Sequence, residues 1–222
     1  MDPHLDVLIR PYRLDDASAV FEAARESIAE LGPWMPWCHP EYSIDESRSW
    51  LEAQVPAYQQ GRAFEFAIVS SDGRYLGGCG INRIDKEHRR ANLGYWVRST
   101  ATGRGVATAA VQLLRNWGFQ NTDLLRLEIV IAVGNVASHR VAEKAGAMRE
   151  GTLRSRLLLR GTPHDATIFS FIRAEHMVSV VADPEYSAAE PTTGADGPQS
   201  AAQQPPRQTP SHGVPDSAED RG

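Results

Sequence analysis

Residues 103–108 read GRGVAT and combine two glycines, an arginine and small side chains within six positions. If a helix begins here, the amide N–H groups of its first turn have no partners within the helix and lie at the positive end of its dipole. Small side chains leave such amides open to a phosphate. The predicted phosphate-binding loop consists of Gly103, Arg104, Gly105, Val106, Ala107 and Thr108. The alternative is a helix start at which the glycines only ease a turn.

Other phosphate-binding motifs fit this chain less well. The pattern GxxxxGK[ST] does not occur, which excludes a P-loop. The loop resembles the start of GxGxxG, but its third position is Thr108. Asp123 follows at about the distance expected of a ribose-binding acid, yet it precedes the next predicted strand instead of ending it. A dinucleotide-binding fold is therefore disfavoured.

The first part of the chain has one strand and two helices before the main run of strands. Asp15 or Asp16 can cap a helix that continues through Glu30. Ser43–Glu46 has the capping-box pattern that opens a second helix. Pro56 is expected to kink or shorten this second helix, because proline lacks the N–H that the helix needs.

The rest of the body alternates between the two periodicities. Three antiparallel strands are predicted from AFEFAIVS, YLGGCGINRI and ANLGYWVRS, and the glycines of the middle strand indicate a bend or a close neighbour. A helix from Arg104, the strand LLRLEIVIAV, a short helix ended by Gly146 and two final strands follow. The order β-α-α-β-β-β-α-β-α-β-β indicates an α+β domain with a mixed sheet.

Composition divides the chain into a body, residues 1–182, and a tail, residues 183–222. The tail has no Leu, Ile, Phe, Trp or Met and holds seven of the fourteen prolines, so we expect it to be disordered. It carries the whole net charge of −5, which leaves the body neutral. A neutral body argues against nucleic acid as a partner.

Cysteine and histidine usage excludes further classes of site. Cys38 and Cys79 form no CxxC pair, and the histidines lack metal-ligand spacing, so no metal is expected. The N-terminus lacks a secretory pattern, and no apolar run is long enough to span a membrane. We expect a cytoplasmic protein with no membrane partner, while its oligomeric state, monomer or homodimer, stays open.

Two longer stretches carry a family resemblance. LGYWVRSTATGRGVATAAV and LRLEIVIAVGNVASHRVAEKAGA resemble the acetyl-CoA-binding core of the GNAT acetyltransferase superfamily, whose loop has the pattern R/Q-x-x-G-x-G/A. The pattern NVASxRVxEKxG and the segment LGPWMPW are similar to the branch that acetylates ribosomal-protein N-termini at alanine or serine. The resemblance spans about residues 5–175. Thr102 departs from it, because the family has Arg or Gln at this position.

The resemblance implies a GNAT-like, mostly antiparallel mixed sheet flanked by helices, with acetyl-CoA as co-substrate. Its strand before the glycine loop is splayed from its neighbour, so the amides around Val97 should receive the thioester carbonyl. Asn135 should cap the short helix and contact the cofactor arm. The loop at 103–108 becomes the expected clamp for the pyrophosphate of coenzyme A.

Two side chains are candidates for catalysis. Glu128 matches a glutamate that acts as base in some relatives, and its alternative role is an ion pair with Arg126. Ser138 is the hydroxyl that can protonate the leaving thiolate, because the tyrosine of other relatives is replaced by Val141 or Ala142. Its alternative role is a serine satisfied by its own helix.

The acceptor side is expected around the tryptophan–proline segment. Trp34 and Trp37 should form a wall beside the acceptor, although ordinary core packing is the alternative. Tyr95 and Trp96 face opposite sides of their strand, so only one of them should face the site, and Tyr95 is taken as substrate-binding.

Together these residues predict an acetyl-CoA-dependent N-acetyltransferase. Since neither cysteine resembles a nucleophile, the amine should attack the thioester directly in a ternary complex. The expected acceptor is a protein N-terminal α-amine. The alternatives are a small-molecule amine, such as an antibiotic or polyamine, and a non-catalytic acyl-CoA-binding sensor.

Overall fold

Seven strands form one sheet in the order β1-β2-β3-β4-β5-β7-β6 in the computed structural model, which describes residues 6–174. The strands are β1 Val7–Pro11, β2 Phe64–Ser70, β3 Tyr75–Asp85, β4 Arg90–Val97, β5 Arg126–Ala132, β6 Met148–Leu159 and β7 Thr162–Ile172. Neighbouring strands are antiparallel except for the parallel pair β4 and β5. The predicted α+β class and mixed sheet are confirmed. The tail predicted at 183–222 lies outside the described residues.

Five α-helices and two 3₁₀ turns connect the strands. The helices are α1 Ala17–Glu26, α2 Ile28–Leu31, α3 Ile44–Gln59, α4 Val106–Asn121 and α5 Val136–Lys144. The 3₁₀ turns are Leu14–Asp16 and Ser99–Ala101. The predicted order of elements is confirmed, with α2 as an additional short helix.

The first helix ends earlier than predicted, and the second is not shortened at Pro56, whose predicted kink stays a prediction. The first helix does not continue to Glu30, because Ser27 leaves the helical region and its Oγ donates a hydrogen bond to the Ala23 carbonyl, 2.7 Å away. The second helix extends past Pro56 to Gln59. Pro56 removes the bond to the Glu52 carbonyl, but both residues are exposed, so water can serve that carbonyl instead.

Helices cover both faces of the sheet, as the alternation along β2 shows. Phe66 and Ile68 belong to the core that α4 and α5 complete, whereas Ala67 and Val69 pack with Val20 of α1. Successive side chains of a strand point to opposite faces, so the sheet separates two apolar layers. The face under α1 and α3 is the one that carries the larger cavity.

The pair β4 and β5 is short and then separates. Only Arg90, Ala91 and Asn92 of β4 pair with β5, opposite residues 126–128. Beyond Asn92, β4 continues to Val97 beside β3 alone, and β5 continues beside β7. The splayed strand that the resemblance implied is therefore present, and it leaves an opening between the two strands.

The turn that follows β4 is held by the end of α1. The Glu26 carboxylate accepts hydrogen bonds from Arg98 Nε and Thr100 Oγ1, each 2.9 Å away. Ser27 Oγ accepts from the Ser99 amide at 2.9 Å. These bonds fix the 3₁₀ turn that leads into α4.

Thr102, where the family has Arg or Gln, also contributes to this turn. Its Oγ1 donates a hydrogen bond to the Ser99 carbonyl at 2.8 Å. The bond from Thr102 thus takes the place of the Arg or Gln side chain that the resemblance implied. Glu26 and Ser27 at the end of α1 also hold the turn.

The Glu26 contacts predict a pH-dependent contribution to stability. The hydrogen bonds from Arg98 lower the pKa of Glu26 from 4.5 to about 2. A carboxyl group whose pKa falls on folding stabilises the protein above its unfolded pKa and loses this contribution as pH falls toward the folded pKa. We expect Glu26→Gln to lower the free energy of unfolding by about 1 kcal/mol at pH 7, with a difference from wild type that shrinks below about pH 4.5.

Urea unfolding at pH 7, 5, 4 and 3 measures this difference. Glu52→Gln is the matched control, because Glu52 is exposed on α3 and has no ion pair among the described residues. An equal pH-dependent loss in both variants would contradict the assignment to Glu26.

Candidate functional site

The glycine loop has the backbone that the sequence indicated, with the helix starting two residues later. The helix was predicted from Arg104, but its first residue is Val106, and Gly105 precedes it. Gly103 and Gly105 have φ of 74° and 80°, a region that favours glycine. No side chain caps α4, and no acidic residue lies in its first turn. The first amides of α4 can therefore receive an anion from outside the helix.

The short helix α5 begins at the far side of the opening between β4 and β5. Asn135 Oδ1 accepts a hydrogen bond from the Ser138 amide at 3.1 Å, so the predicted helix cap is confirmed. The Tyr95 hydroxyl lies 2.8 Å from Ser138 Oγ and also donates to the Ser138 carbonyl at 3.1 Å. A side chain of β4 thus meets the start of α5 across the opening.

This opening contains the smaller of two cavities, of about 130 Å³. Tyr95, Asn135 and Ser138 line it, together with Trp34. Trp34 packs against Gly134, where an added Cβ would lie 3.3 Å from the indole ring. Burial raises the pKa of Tyr95 to about 12, against the hydrogen bond with Ser138. The phenol is therefore protonated at neutral pH and available as a hydrogen-bond donor.

The larger cavity, of about 390 Å³, lies on the face covered by α1 and α3. Its aromatic lining consists of Tyr12, Trp37, Tyr42, Trp50, Tyr95 and Trp96. The rings of Trp37 and Trp96 are 5.3 Å apart and tilted by 64°. Both cavities include Met35, Gly94 and Tyr95 in their walls, so they adjoin along β4.

Two sequence predictions about the acceptor side change here. Trp34 and Trp37 do not share one wall, because Trp34 lines the smaller cavity and Trp37 the larger. The expectation that only one of Tyr95 and Trp96 would face the site was wrong. The opening between the strands connects the two faces of the sheet, so residues from both faces reach the site.

Glu65 is a cavity residue that sequence reasoning missed. It lies on β2, half-buried, and its Oε1 accepts a hydrogen bond from Asn82 Nδ2 at 2.9 Å. Asn82 Oδ1 in turn accepts from Asn92 Nδ2 at 2.9 Å. Burial raises the pKa of Glu65, and the bond from Asn82 opposes this effect. The available signal was one acidic residue inside the apolar strand AFEFAIVS.

The space for the Glu65 side chain comes from the glycines of β3. Glu65 pairs with Gly80, where an added Cβ would lie only 1.8 Å from Glu65 Oε2. The close neighbour predicted from these glycines is confirmed.

Glu128 forms the ion pair with Arg126 that was the alternative to a role as base. Its Oε1 accepts a hydrogen bond from Arg126 Nε at 2.7 Å, and Arg126 Nη1 also donates to Glu150 at 2.7 Å. Glu128 lines neither of the two cavities. It does pair in register with Asn92, so both residues face the same side of the sheet. Its role as base stays a prediction.

The two cysteines are free and buried. Burial raises the pKa of both thiols. Cys79 lines the larger cavity, but a protonated, buried thiol is a poor nucleophile. Within residues 6–174, no three metal-ligating side chains converge, and no helix is both long and apolar enough to cross a bilayer.

Comparison with known proteins identifies the family. The model of the acetyltransferase (GNAT) domain matches residues 6–148. The Bacillus subtilis protein named Putative ribosomal N-acetyltransferase YdaF is 30% identical over 172 residues, which cover 76% of this chain and 92% of that protein. The ribosomal-protein-serine acetyltransferase of Escherichia coli is 29% identical over 61% of this chain and 75% of its own length.

A solved structure agrees with these relatives. Mycobacterium smegmatis RimJ in complex with CoA-disulfide superposes with a TM-score of 0.71 at 28% identity, covering 77% of this chain and 83% of that one. The glycine loop, the separated strands and the capped α5 are thus found within a matched domain. The chain belongs to the GNAT family and is an acetyl-CoA-dependent N-acetyltransferase.

Proposed function

We propose that the chain transfers the acetyl group of acetyl-CoA to a protein N-terminal α-amine, by direct attack of the amine in a ternary complex. The observation that carries this proposal is the meeting of two cavities at Gly94 and Tyr95. One lies in the opening between β4 and β5, beside the start of α5. The other is aromatic and lies on the opposite face, so donor and acceptor can meet at β4.

The donor is acetyl-CoA, whose thioester supplies an activated acetyl group. The residues present fit it. The free amides at the start of α4 can donate hydrogen bonds to the pyrophosphate, because Gly103, Gly105 and Ala107 leave room for it. Thr108 adds a hydroxyl, and Arg104 is exposed beside them. Asn135 lines the smaller cavity and would contact the cofactor arm there.

The backbone of β4 supplies the donor for the thioester carbonyl. The Arg98 amide donates to the Leu76 carbonyl of β3 at 2.9 Å. Since successive amides of a strand point to opposite edges, the Val97 amide points toward the opening. An amide fixed there stabilises the oxygen as it gains negative charge.

Ser138 and Tyr95 serve the leaving thiolate. The two hydroxyls lie 2.8 Å apart on the wall of the smaller cavity. Ser138 Oγ donates its proton to the thiolate. The Tyr95 phenol, which donates to the Ser138 carbonyl and lies beside Ser138 Oγ, holds the serine in place. This pair takes the position for which the sequence predicted Ser138 alone.

The N-terminal α-amine is favoured over lysine by its acidity. The pKa of an α-amine is about 7.7–8.0, whereas that of a lysine side chain is about 10.4. A larger fraction of the α-amine is therefore unprotonated at neutral pH, and a weaker base can remove its proton. Matched relatives are named for ribosomal proteins. For the amine proton, Glu128 is the candidate from the sequence, acting through water on the face that it shares with Asn92.

A polyamine is the second candidate acceptor. Glu46 and Glu65 both line the larger cavity, and its walls include no Lys or Arg. Two carboxylates in one cavity suit a molecule with two ammonium groups.

Substitution in the glycine loop tests the donor site. Gly105 and Gly146 have φ of 80° and 86°, and no atom lies within 4 Å of an added Cβ at either position. Gly105→Ala and Gly146→Ala should each lose about 1 kcal/mol of stability through backbone strain. Only Gly105→Ala should raise the Kd of acetyl-CoA, by about tenfold or more, in calorimetric titration. Equal Kd values would remove the loop from the donor site.

The hydroxyl of Ser138 gives a second test. Ser138→Ala should lower kcat by about 100-fold, the usual size of a general-acid contribution, without changing the Kd of acetyl-CoA. The Asn135 cap is retained, because it uses the Ser138 amide and not the hydroxyl. Ser138→Thr keeps a hydroxyl and should recover much of the rate. An unchanged kcat in the alanine variant would leave water as the proton donor.

The acceptor is tested by acetyl-CoA turnover, measured as release of free thiol. The panel contains peptides with N-terminal serine or alanine, the same peptides with a blocked N-terminus, spermidine and an aminoglycoside. We expect stimulation by the free peptides only. Stimulation by spermidine alone would establish the second candidate, and acetyl-CoA binding without any stimulated release would favour the sensor.

A further inference from the structure

The Glu65 carboxylate has one oxygen that the protein leaves free. Oε1 accepts the bond from Asn82 at 2.9 Å, whereas Oε2 accepts no hydrogen bond from residues 6–174. Nor is Oε2 sealed from solvent, since the one side-chain atom of the described residues that is both buried and unpartnered is His139 Nε2. Glu65 lines the larger cavity. Its Oε2 is therefore available to whatever occupies that cavity.

A row of glycines leads from Glu65 to the opening between β4 and β5. Glu65 pairs with Gly80 on β3, and Gly80 pairs with Gly94 on β4. Residues paired in this way face the same side of a sheet, about 5 Å apart per strand. Gly94 belongs to both cavities. No side chain in this row separates the carboxylate from the place where the cavities meet.

The second carboxylate of the cavity is engaged elsewhere. Glu46 accepts hydrogen bonds from the Ser43 amide at 2.8 Å, from Ser43 Oγ at 2.9 Å and from His39 Nε2 at 3.0 Å. It belongs to the capping box of α3. Glu65 is thus the carboxylate with an uncommitted oxygen.

The charge of Glu65 has no counter-ion in the cavity wall. No Lys or Arg lines the cavity, and Glu65 forms no ion pair among the described residues. A partly buried carboxylate gains stability from a cation. Aromatic rings around such a site attract a cation as well. The wall therefore fits the ammonium group of an acceptor amine and opposes an acceptor with a negative group beside it.

We propose that Glu65 binds the acceptor ammonium through Oε2 and takes the proton that makes the amine nucleophilic. This inference rests on the proposed acetyl transfer and replaces Glu128 in the role of base. It also adds a preference, since an acceptor with an acidic first residue would place a second carboxylate near Glu65.

In the proposed reaction, the amine loses two protons and the thiolate gains one. The ammonium gives one proton to Glu65, and the nitrogen lone pair then forms the C–N bond to the acetyl carbon. The C–S bond breaks with its electron pair on sulfur, and Ser138 protonates the resulting thiolate. The nitrogen, now bonded to the acetyl carbon, must lose a second proton to become a neutral amide. Ser138 recovers that proton from the product nitrogen through water, and Glu65 releases its own proton to solvent.

Glu65 is the carboxyl group of the cavity whose pKa is raised above its ordinary value of 4.5 by burial. Its basic form therefore appears as pH rises through that raised value. The other titratable groups around the cavity keep one state there. Burial raises the pKa of the phenols and of the thiol, and hydrogen bonds from Ser43 lower that of Glu46. These groups are Tyr12, Tyr42, Cys79, Tyr95 and Glu46.

Glu65→Gln tests the inference, because glutamine keeps the shape and the acceptor for Asn82 but cannot take a proton. We expect an unchanged Kd for acetyl-CoA, kcat/KM for the amine lowered by about 100-fold or more, and loss of the acidic limb of the pH profile. Glu65→Asp keeps an acid and should retain that limb at a reduced rate. Glu52→Gln, on the exposed side of α3, is the matched control and should behave as wild type.

Glu128→Gln decides between the two carboxylates. If it abolishes the acidic limb while Glu65→Gln retains the limb and the rate, the inference is overturned in favour of Glu128. If wild type binds acetyl-CoA but turns over no amine, the proposed function fails, and the role of Glu65 fails with it. If wild type acetylates amines and Glu65→Gln does so equally well, only the role of Glu65 is lost.

Peptides that differ in their first residue test the preference. Wild type should acetylate a peptide beginning with serine faster than the same peptide beginning with aspartate, and Glu65→Gln should reduce that ratio. An equal ratio in both proteins would contradict a charge effect from Glu65.

Discussion

The early separation of β4 from β5 is the constraint on which the rest of the site depends. Backbone N–H and C=O groups inside a protein need partners, and a fully paired sheet would use all of them. Here three residue pairs hold the strands together, and β4 then runs on to Val97 without β5. The separated edge offers backbone groups to a ligand, and its two walls carry Tyr95 and Ser138 to hydrogen-bond distance of each other. A parallel pair extended by a few residues would close this opening.

The sheet also keeps two kinds of chemistry apart. Only uncharged side chains of the described residues, among them Tyr95, Asn135 and Ser138, line the cavity in the opening, which fits the proposed thioester donor. Aromatic rings and a half-buried carboxylate surround the larger cavity, which suits a cationic acceptor. The two cavities meet along β4 and at Met35, and Gly94 adds no side chain there. Under the proposed function, donor and acceptor would therefore meet beside Gly94.

Features fixed by neighbouring residues were predictable from the sequence. The order of elements, the glycine loop, the capping box at Ser43 and the cap at Asn135 each depend on contacts within a few positions. Features that depend on lateral pairing were not. The function of Glu65 as a cavity residue follows from its register with Gly80, which lies in another strand and has no signature near Glu65.

Other errors have the same origin. Trp34 and Trp37 are three residues apart, but the turn between them directs one to each cavity. The break of the first helix at Ser27 reflects a partner, the Ser99 amide, that lies 72 positions further along the chain. Periodicity within the helix gives no sign of such a partner.

Helix α1, which ends just before Ser27, contacts both the larger cavity and the turn before α4. Helix α1 contributes Val20 to the wall of the larger cavity, and the residues at its end, Glu26 and Ser27, hold the turn that leads into α4. The wall of the larger cavity and the turn before α4 are therefore supported by one and the same helix.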